Sequence, residues 1–303
     1  MNNLLPLMQR EWLQHRFGWT LLAVVPLGLT LLLLSVGQIQ MSSVELGEVD
    51  QVGAGVLTSI TMLVTSLAMF VIAVVTSLFL MSGLARRDHQ DRSVEFWMSL
   101  PTGHSPSLAA PLVVHLLVVP AAALVIGLLG GWLVSLVLVT RLLSFEAWAS
   151  VPWGLVWSAA LAGLARVLAG LPLAFLWVLP LVLATVLCNA YFKRWAVPVL
   201  ALSLSLLGLS LYWLYGQPVV SELLRDVLVN ALAALVTAQE NPPLPVDGNP
   251  LSVLAMIPAW AWADWRLAFT ALWTPLFAGC LLSAAALFAL LVDWRRRGAG
   301  AGG

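Results

Sequence analysis

Charge is what this chain has least of. Of its 303 residues, 14 are Lys or Arg and 14 are Asp or Glu, together 9%, where a soluble domain carries about 25%. The formal net charge is zero, which removes any global basic field for nucleic acid. Cysteine is nearly absent too. Cys188 and Cys280 stand alone inside apolar runs, so they suggest neither a disulfide framework nor a metal site and read as small apolar packing residues. No G-x-x-x-x-G-K-[ST] loop for nucleotide phosphates occurs, and no H-E-x-x-H. The four histidines, His15, His89, His104 and His115, are scattered. Only His115 falls inside a long apolar run, where a hydrogen-bonded helix residue is a plainer reading than a ligand. No catalytic set and no metal site is therefore expected.

What the chain has is apolar length: 61% of it is hydrophobic. A soluble fold cannot hide runs of 25 apolar residues, whereas a bilayer requires about 20 per helix. Apolar and polar residues do not alternate along the runs, as a membrane barrel would need. The reading is an all-α polytopic membrane protein with a single transmembrane domain over 1–303. Its spans are expected near Phe17–Gly37, Val56–Leu84, Leu108 to before Arg141, Val167–Ala190, Ala196–Tyr215 and Leu267–Val292. Residues 1–16, MNNLLPLMQREWLQHR, are amphipathic and are followed by no small-residue cleavage site, so they read as a retained segment. With Leu5, Met8 and Trp12 on one stripe and Arg10 elsewhere, that segment is expected to lie as a helix in the membrane interface.

The stretch 146–192 is long enough for one span or two, and basic residues decide it, because they concentrate on the cytoplasmic side. One span there places Arg10 and Arg16, Arg86, Arg87 and Arg92, Lys193 and Arg194, and Arg295 to Arg297 on one side, ten of the 14 basic residues. Two spans would export the last two clusters. Six spans with both termini cytoplasmic follow, with 293–303 as a cytoplasmic tail. Trp148–Leu164 then becomes an outer interfacial or re-entrant helix, its tryptophans at headgroup level. Residues 216–264 form the largest external region, folded back on the outer face.

Few polar groups are left inside the spans. The second carries Thr58, Thr61, Thr65, Ser66 and Ser77, which let helices approach closely or line a path; Thr61, Thr65 and Ser66 are candidates for the latter. Arg166 either reaches the outer headgroups or meets an anionic substrate. With no acid clearly inside a span, a self-powered carrier is disfavoured. In the third span Pro111, Pro120, Gly127, Gly130 and Gly131 predict a bend.

Six of the 28 formal charges gather in ARRDHQDRSVEFWMSLP, residues 85–101. Asp91 is suited to cap a helix N-terminus, residues 92–99 make about two turns, and Pro101 ends them at Leu100. Val94, Trp97 and Met98 share one side, while Asp88, Asp91 and Glu95 supply acids. Large aromatics set among charge compose an interface centre, or else Phe96 and Trp97 dip into lipid.

The segment DRSVEFWMSLP resembles the cytoplasmic coupling segment of the type-2 ABC transporter permease family, through Asp91, Arg92, Phe96, Ser99, Leu100 and Pro101. LMQREWLQHRFGW is similar to that family's interfacial elbow helix, and Phe175–Leu200 to its fourth-to-fifth span region. The resemblance implies two permease subunits, identical or related, in a bacterial inner membrane. Beneath each sits a separate cytoplasmic ATPase that holds ATP and magnesium; this chain itself carries no cofactor. The coupling segment 85–107, with Asp88, Glu95 and Trp97 beside the matched residues, would dock on that ATPase and link hydrolysis to export of a lipid-like, peptide or other amphipathic substrate. A secondary carrier and a membrane-embedded lipid-modifying enzyme stay as alternatives.

Overall fold

The structure, a computed structural model, describes residues 4–38, 43–82, 84, 104–237 and 251–300. Among these every regular element is helical: α1 (Leu4–Val36), α2 (Ser43–Ser82), α3 (His104–Val113), a π-helical turn (Val114–Val118), α4 (Val119–Leu142), α5 (Phe145–Ala149), α6 (Trp153–Phe192), α7 (Ala196–Tyr215), α8 (Val219–Leu235), α9 (Leu251–Thr270) and α10 (Pro275–Gly300), with a single 3₁₀ turn at Lys193–Trp195. Six helical stretches are long and apolar enough to cross a membrane: Leu5–Val36, Gly53–Met81, Ser105–Leu142, Trp153–Phe192, Ala196–Tyr215 and Pro275–Arg297. The chain is an integral membrane protein, and the expected count of six stands.

Several boundaries differ from expectation, each for a local reason. The interfacial segment is not separated from the first span. α1 runs unbroken through Arg16 and Phe17, because Pro6 sits in its first turn, where proline is tolerated, and no breaker follows before Pro26. Nor does Trp148–Leu164 form its own interfacial or re-entrant helix. Only Phe145–Ala149 stands apart, with Ser144 as its N-cap: the hydroxyl accepts from Ala147 N–H at 3.0 Å. From Trp153 onward the chain is one helix of 40 residues, about 60 Å at 1.5 Å per residue and twice the hydrocarbon thickness of about 30 Å. The last span starts at Pro275, not Leu267. Thr274 Oγ1 accepts from Phe277 N–H at 3.3 Å and Pro275 takes the first helical position, a start signal in sequence. Residues 293–300 continue that helix where a tail was expected. α2 is kinked at Gly53, whose φ of 77° is open only to a residue without Cβ.

The helices alternate in direction, so six helix ends meet at each end of the bundle. At one end Met81, Leu84, Leu108, Leu112, Leu183 and Leu291 share an apolar cluster. Arg295 Nη1 donates to Ser107 Oγ at 2.8 Å, and the rings of Tyr191 and Trp294 meet at 6.3 Å. The first turns of α1 arrive here too, with Arg10 close enough to Arg295 for their charges to interact. At the other end Arg141 Nη2 donates to Gly37 O at 2.7 Å, and the rings of Trp132, Trp148 and Trp153 meet within 4.8–6.4 Å, Trp153 edge-on to both others. The basic residues Arg10, Lys193 and Arg295–Arg297 thus gather at one end and Arg141 sits at the other, the partition read from the sequence. Residues 219–235 and 251–270 are not a detached region. α8 buries Val227, Ala231 and Ala234 against Ala174, Trp177 and Phe277, and α9 places Leu254 with Met62 and Val156. The outer faces of α1 and α7 are left uncovered, Phe17, Leu32, Leu206 and Trp213 among them, as lipid-facing helices require.

Candidate functional site

Two polar places inside the bundle carry the chemistry the spans allow, and a third polar stripe turns out to be a packing seam. The coupling residues Asp88, Asp91, Arg92, Glu95, Phe96, Trp97, Ser99, Leu100 and Pro101 lie outside the described residues. Their flanks do not: Leu84 and Leu108 share the cluster at the basic end.

The Ser/Thr stripe of α2 faces glycines of α4. A Cβ on Gly127 would lie 2.6 Å from Ser66 Cα, and one on Gly131 would lie 2.7 Å from Met62 Cα and 3.1 Å from Thr65 Cβ. Gly127 and Gly131 are four residues apart, the small-xxx-small spacing that lets two membrane helices touch backbone to backbone. Thr61 is turned back on its own helix, donating to Leu57 O at 2.8 Å. Thr58, Ser66 and Ser77 are buried, and their hydroxyls make no hydrogen bond. Candidate path residues Thr61, Thr65 and Ser66 thus sit at a close helix–helix seam, Thr61 and Ser66 buried and Thr65 partly so. Of the residues expected to bend the third span, Gly127 and Gly131 serve this approach and Gly130 faces Leu27 of α1; the distortion lies at the π turn, between Pro111 and Pro120.

Arg166 neither reaches the headgroups nor stands open to an anion. It is 3% exposed. Its Nε donates to Asp264 Oδ2 at 2.8 Å, its Nη2 lies 2.8 Å from the same oxygen, and its Nη1 donates to Ala234 O at 2.8 Å. Ala234 belongs to the last turn of α8, whose carbonyls lack helical donors and carry the negative end of the dipole. Asp264, fully buried, also accepts from Thr237 N–H at 3.2 Å and from the Thr237 hydroxyl. One ion pair thereby closes the end of α8, anchors the chain leaving it, and joins α6 to α9. Gly170 makes room: a Cβ there would come 2.1 Å from Ala234 O. Asp264 was not foreseen as an internal acid. Its signal was local, a lone carboxylate in the aromatic run AWAWADW.

The second polar place joins α1 to the π turn. Glu11 and His15, one helical turn apart and so on one face, meet His115, whose Nε2 lies 3.6 Å from Glu11 Oε2. The His15 and His115 rings are 5.7 Å apart, and Trp19 lies 5.5 Å from His115. Val114, Val119 and Ala123 form the apolar floor beside Trp19. The Glu11–His15 spacing was readable in the sequence; the approach of His115 was not.

Of the elbow residues, Leu5 and Trp12 are exposed, while Met8 packs on the Trp19 cluster and Arg10 is half-buried near Arg295. Comparison with protein-family models, curated proteins and solved structures finds no match.

Proposed function

We propose that this chain is the permease subunit of an ATP-driven transporter of the type-2 ABC kind. In this reading a separate cytoplasmic ATPase, carrying ATP and magnesium, works on it through residues 85–107, and the exported substrate is lipid-like, peptide or otherwise amphipathic. The observation that carries the proposal is the charged and aromatic segment Asp91–Pro101, set between the second and third of six membrane helices. Its two flanks enter one apolar cluster at the end where the basic residues gather, which supports a cytoplasmic position. On this reading, force applied to the segment would pass to α2 and α3, the helices on either side of it. The uncovered faces of α1 and α7 leave surface for lipid and for a second permease copy.

The test is co-purification. The tagged chain, drawn from native membranes in mild detergent, is expected to bring down a stoichiometric protein with a phosphate-binding loop. Phe96→Ala combined with Trp97→Ala is expected to weaken that association at unchanged membrane abundance. A homo-oligomer without any ATPase after crosslinking, or a double variant that still binds and stimulates the ATPase, overturns the proposal.

A further inference from the structure

We propose that Glu11, His15 and His115 form a binding site for a first-row divalent cation, Zn²⁺ foremost, that ties the start of α1 to the π turn of the third span. The ligand chemistry is right: imidazole and carboxylate are the groups that hold zinc, in sets of three where one position stays open. Among the described residues these three offer ligand atoms that all lie within 4.8 Å of one another. A tetrahedral ion with ligands at about 2.0–2.1 Å keeps its ligand atoms about 3.3–3.4 Å apart. The 3.6 Å between His115 Nε2 and Glu11 Oε2 is within a few tenths of that. The rest falls to His15, which is only half-buried and would have to shift by the roughly 1.5 Å that closure demands.

A second observation points to a ligand independently. His115 is 0% exposed, yet neither ring nitrogen makes a hydrogen bond. A buried polar group without a partner costs about 1–3 kcal/mol, and a coordinated cation would use the nitrogen that faces Glu11. The backbone is arranged for it. His115 sits in a π turn, where Val119 N–H bonds to Val114 O and an extra residue re-aims the side chains; such turns often mark functional sites. Pro120 follows and has no N–H to restore the α-helical bond. Trp19 and the valines close the apolar side, so that the cation would be shielded from water on that face. Nδ1 of His115 has no hydrogen-bond partner to fix the ring, and a missing outer partner weakens a metal by about 10–100-fold. That suits an exchangeable, regulatory ion more than a permanent one. Occupancy would clamp the entry of α1 onto the third span, whatever the chain transports, and does not depend on the permease reading.

The full chain, purified in detergent with a histidine-free tag and stripped by chelator, is titrated with Zn²⁺ by calorimetry and with Co²⁺ by visible absorption. One ion per chain is expected, with intense Co²⁺ bands of low-coordinate nitrogen and oxygen ligation. Glu11→Gln, His15→Gln and His115→Gln should each weaken binding at least tenfold; His89→Gln, His104→Gln and the Cys188→Ser, Cys280→Ser pair should not. Because His115 is fully buried, its replacement endangers the fold. His15→Gln, at a half-buried position and checked by its metal-free melting curve, carries the test alone. No binding by the wild-type chain overturns the proposal. So does binding undiminished in His15→Gln, or binding lost in the His89 or His104 variants.

Discussion

Replacing Asp264 by alanine removes the only carboxylate that faces Arg166 among the described residues. The guanidinium would keep one acceptor, Ala234 O, and Thr237 N–H would lose the oxygen it donates to. At 3% exposure the charge has no water to turn to, and arginine does not shed its proton. Breaking a buried pair from one side costs about 3–5 kcal/mol; Asp264→Ala should fall in that range. Arg166→Ala should cost less, about 1–3 kcal/mol, because the carboxylate left behind keeps both Thr237 donors and a carboxyl can take up a proton. Replacing both by apolar residues of similar size, Arg166→Met with Asp264→Leu, removes the lone buried charge but still takes Arg166 from Ala234 O and Asp264 from Thr237, so it should cost clearly less than the two singles summed. The order is the test: Asp264→Ala worse than Arg166→Ala, and the double variant milder than the two singles summed. Reversible unfolding of the purified chain in mixed micelles, followed by far-ultraviolet circular dichroism, measures it. A double variant as damaged as the two singles summed would show that the residues act independently. An Asp264→Ala loss under about 1 kcal/mol would show that water or lipid headgroups reach the site.

The glycine seam gives a sharper steric prediction: Gly127→Ala and Gly131→Ala each place a Cβ within 2.6–2.7 Å of a backbone Cα on α2 and should cost at least about 1–3 kcal/mol, while Gly279→Ala, with open space at its Cβ, should leave the melting curve unchanged or raised; equal stability of all three would refute the seam. With Cys188 and Cys280 replaced, single cysteines at Arg297 and Gln9 should be labelled by a membrane-impermeant reagent from the same side, and one at Phe145 from the opposite side; labelling of Gln9 and Phe145 from one side would refute the helix order.

The spans were legible because they rest on local composition. Each crossing announces itself over some 20 residues, and the basic clusters sort the loops. The partition of Arg10, Lys193 and Arg295 from Arg141 follows from the same rule. Helix ends were less legible where nothing in the sequence breaks a helix. The amphipathic start of α1 and the tryptophan-rich start of α6 differ from their spans in polarity but not in backbone preference, so each simply continues. Thr274-Pro275 shows the converse, a start signal passed over because the residues before it are apolar as well. Polar partners were not legible at all. Arg166 and Asp264 are 98 residues apart, and no periodicity carries that information. Glu11 and His15 share a face by spacing alone, but only folding brings α1 against the π turn and His115 to them.

The internal acid also changes an argument about mechanism. A self-powered carrier is disfavoured for want of an acid inside the spans; Asp264 lies on α9, outside the six membrane-crossing stretches, yet is fully buried against one of them. Its bonding, however, is that of a fastener. Both carboxylate oxygens are engaged, by Arg166 and by Thr237, and the same arginine closes the end of α8. Releasing a proton-exchanging carboxyl would undo three helices at once. The node therefore makes α6, α8 and α9 one block, as the glycine seam makes α2 and α4 another. Packed interfaces of this kind switch between arrangements more readily than they deform. A motion that keeps both blocks intact has to run between them, along Met62, Val156 and Leu254 at one end and Met81, Leu112 and Leu183 at the other. The second of these contacts adjoins Leu84 and Leu108, the described residues nearest segment 85–103, so on the proposed permease reading a push on that segment would reach the boundary between the blocks without first breaking either.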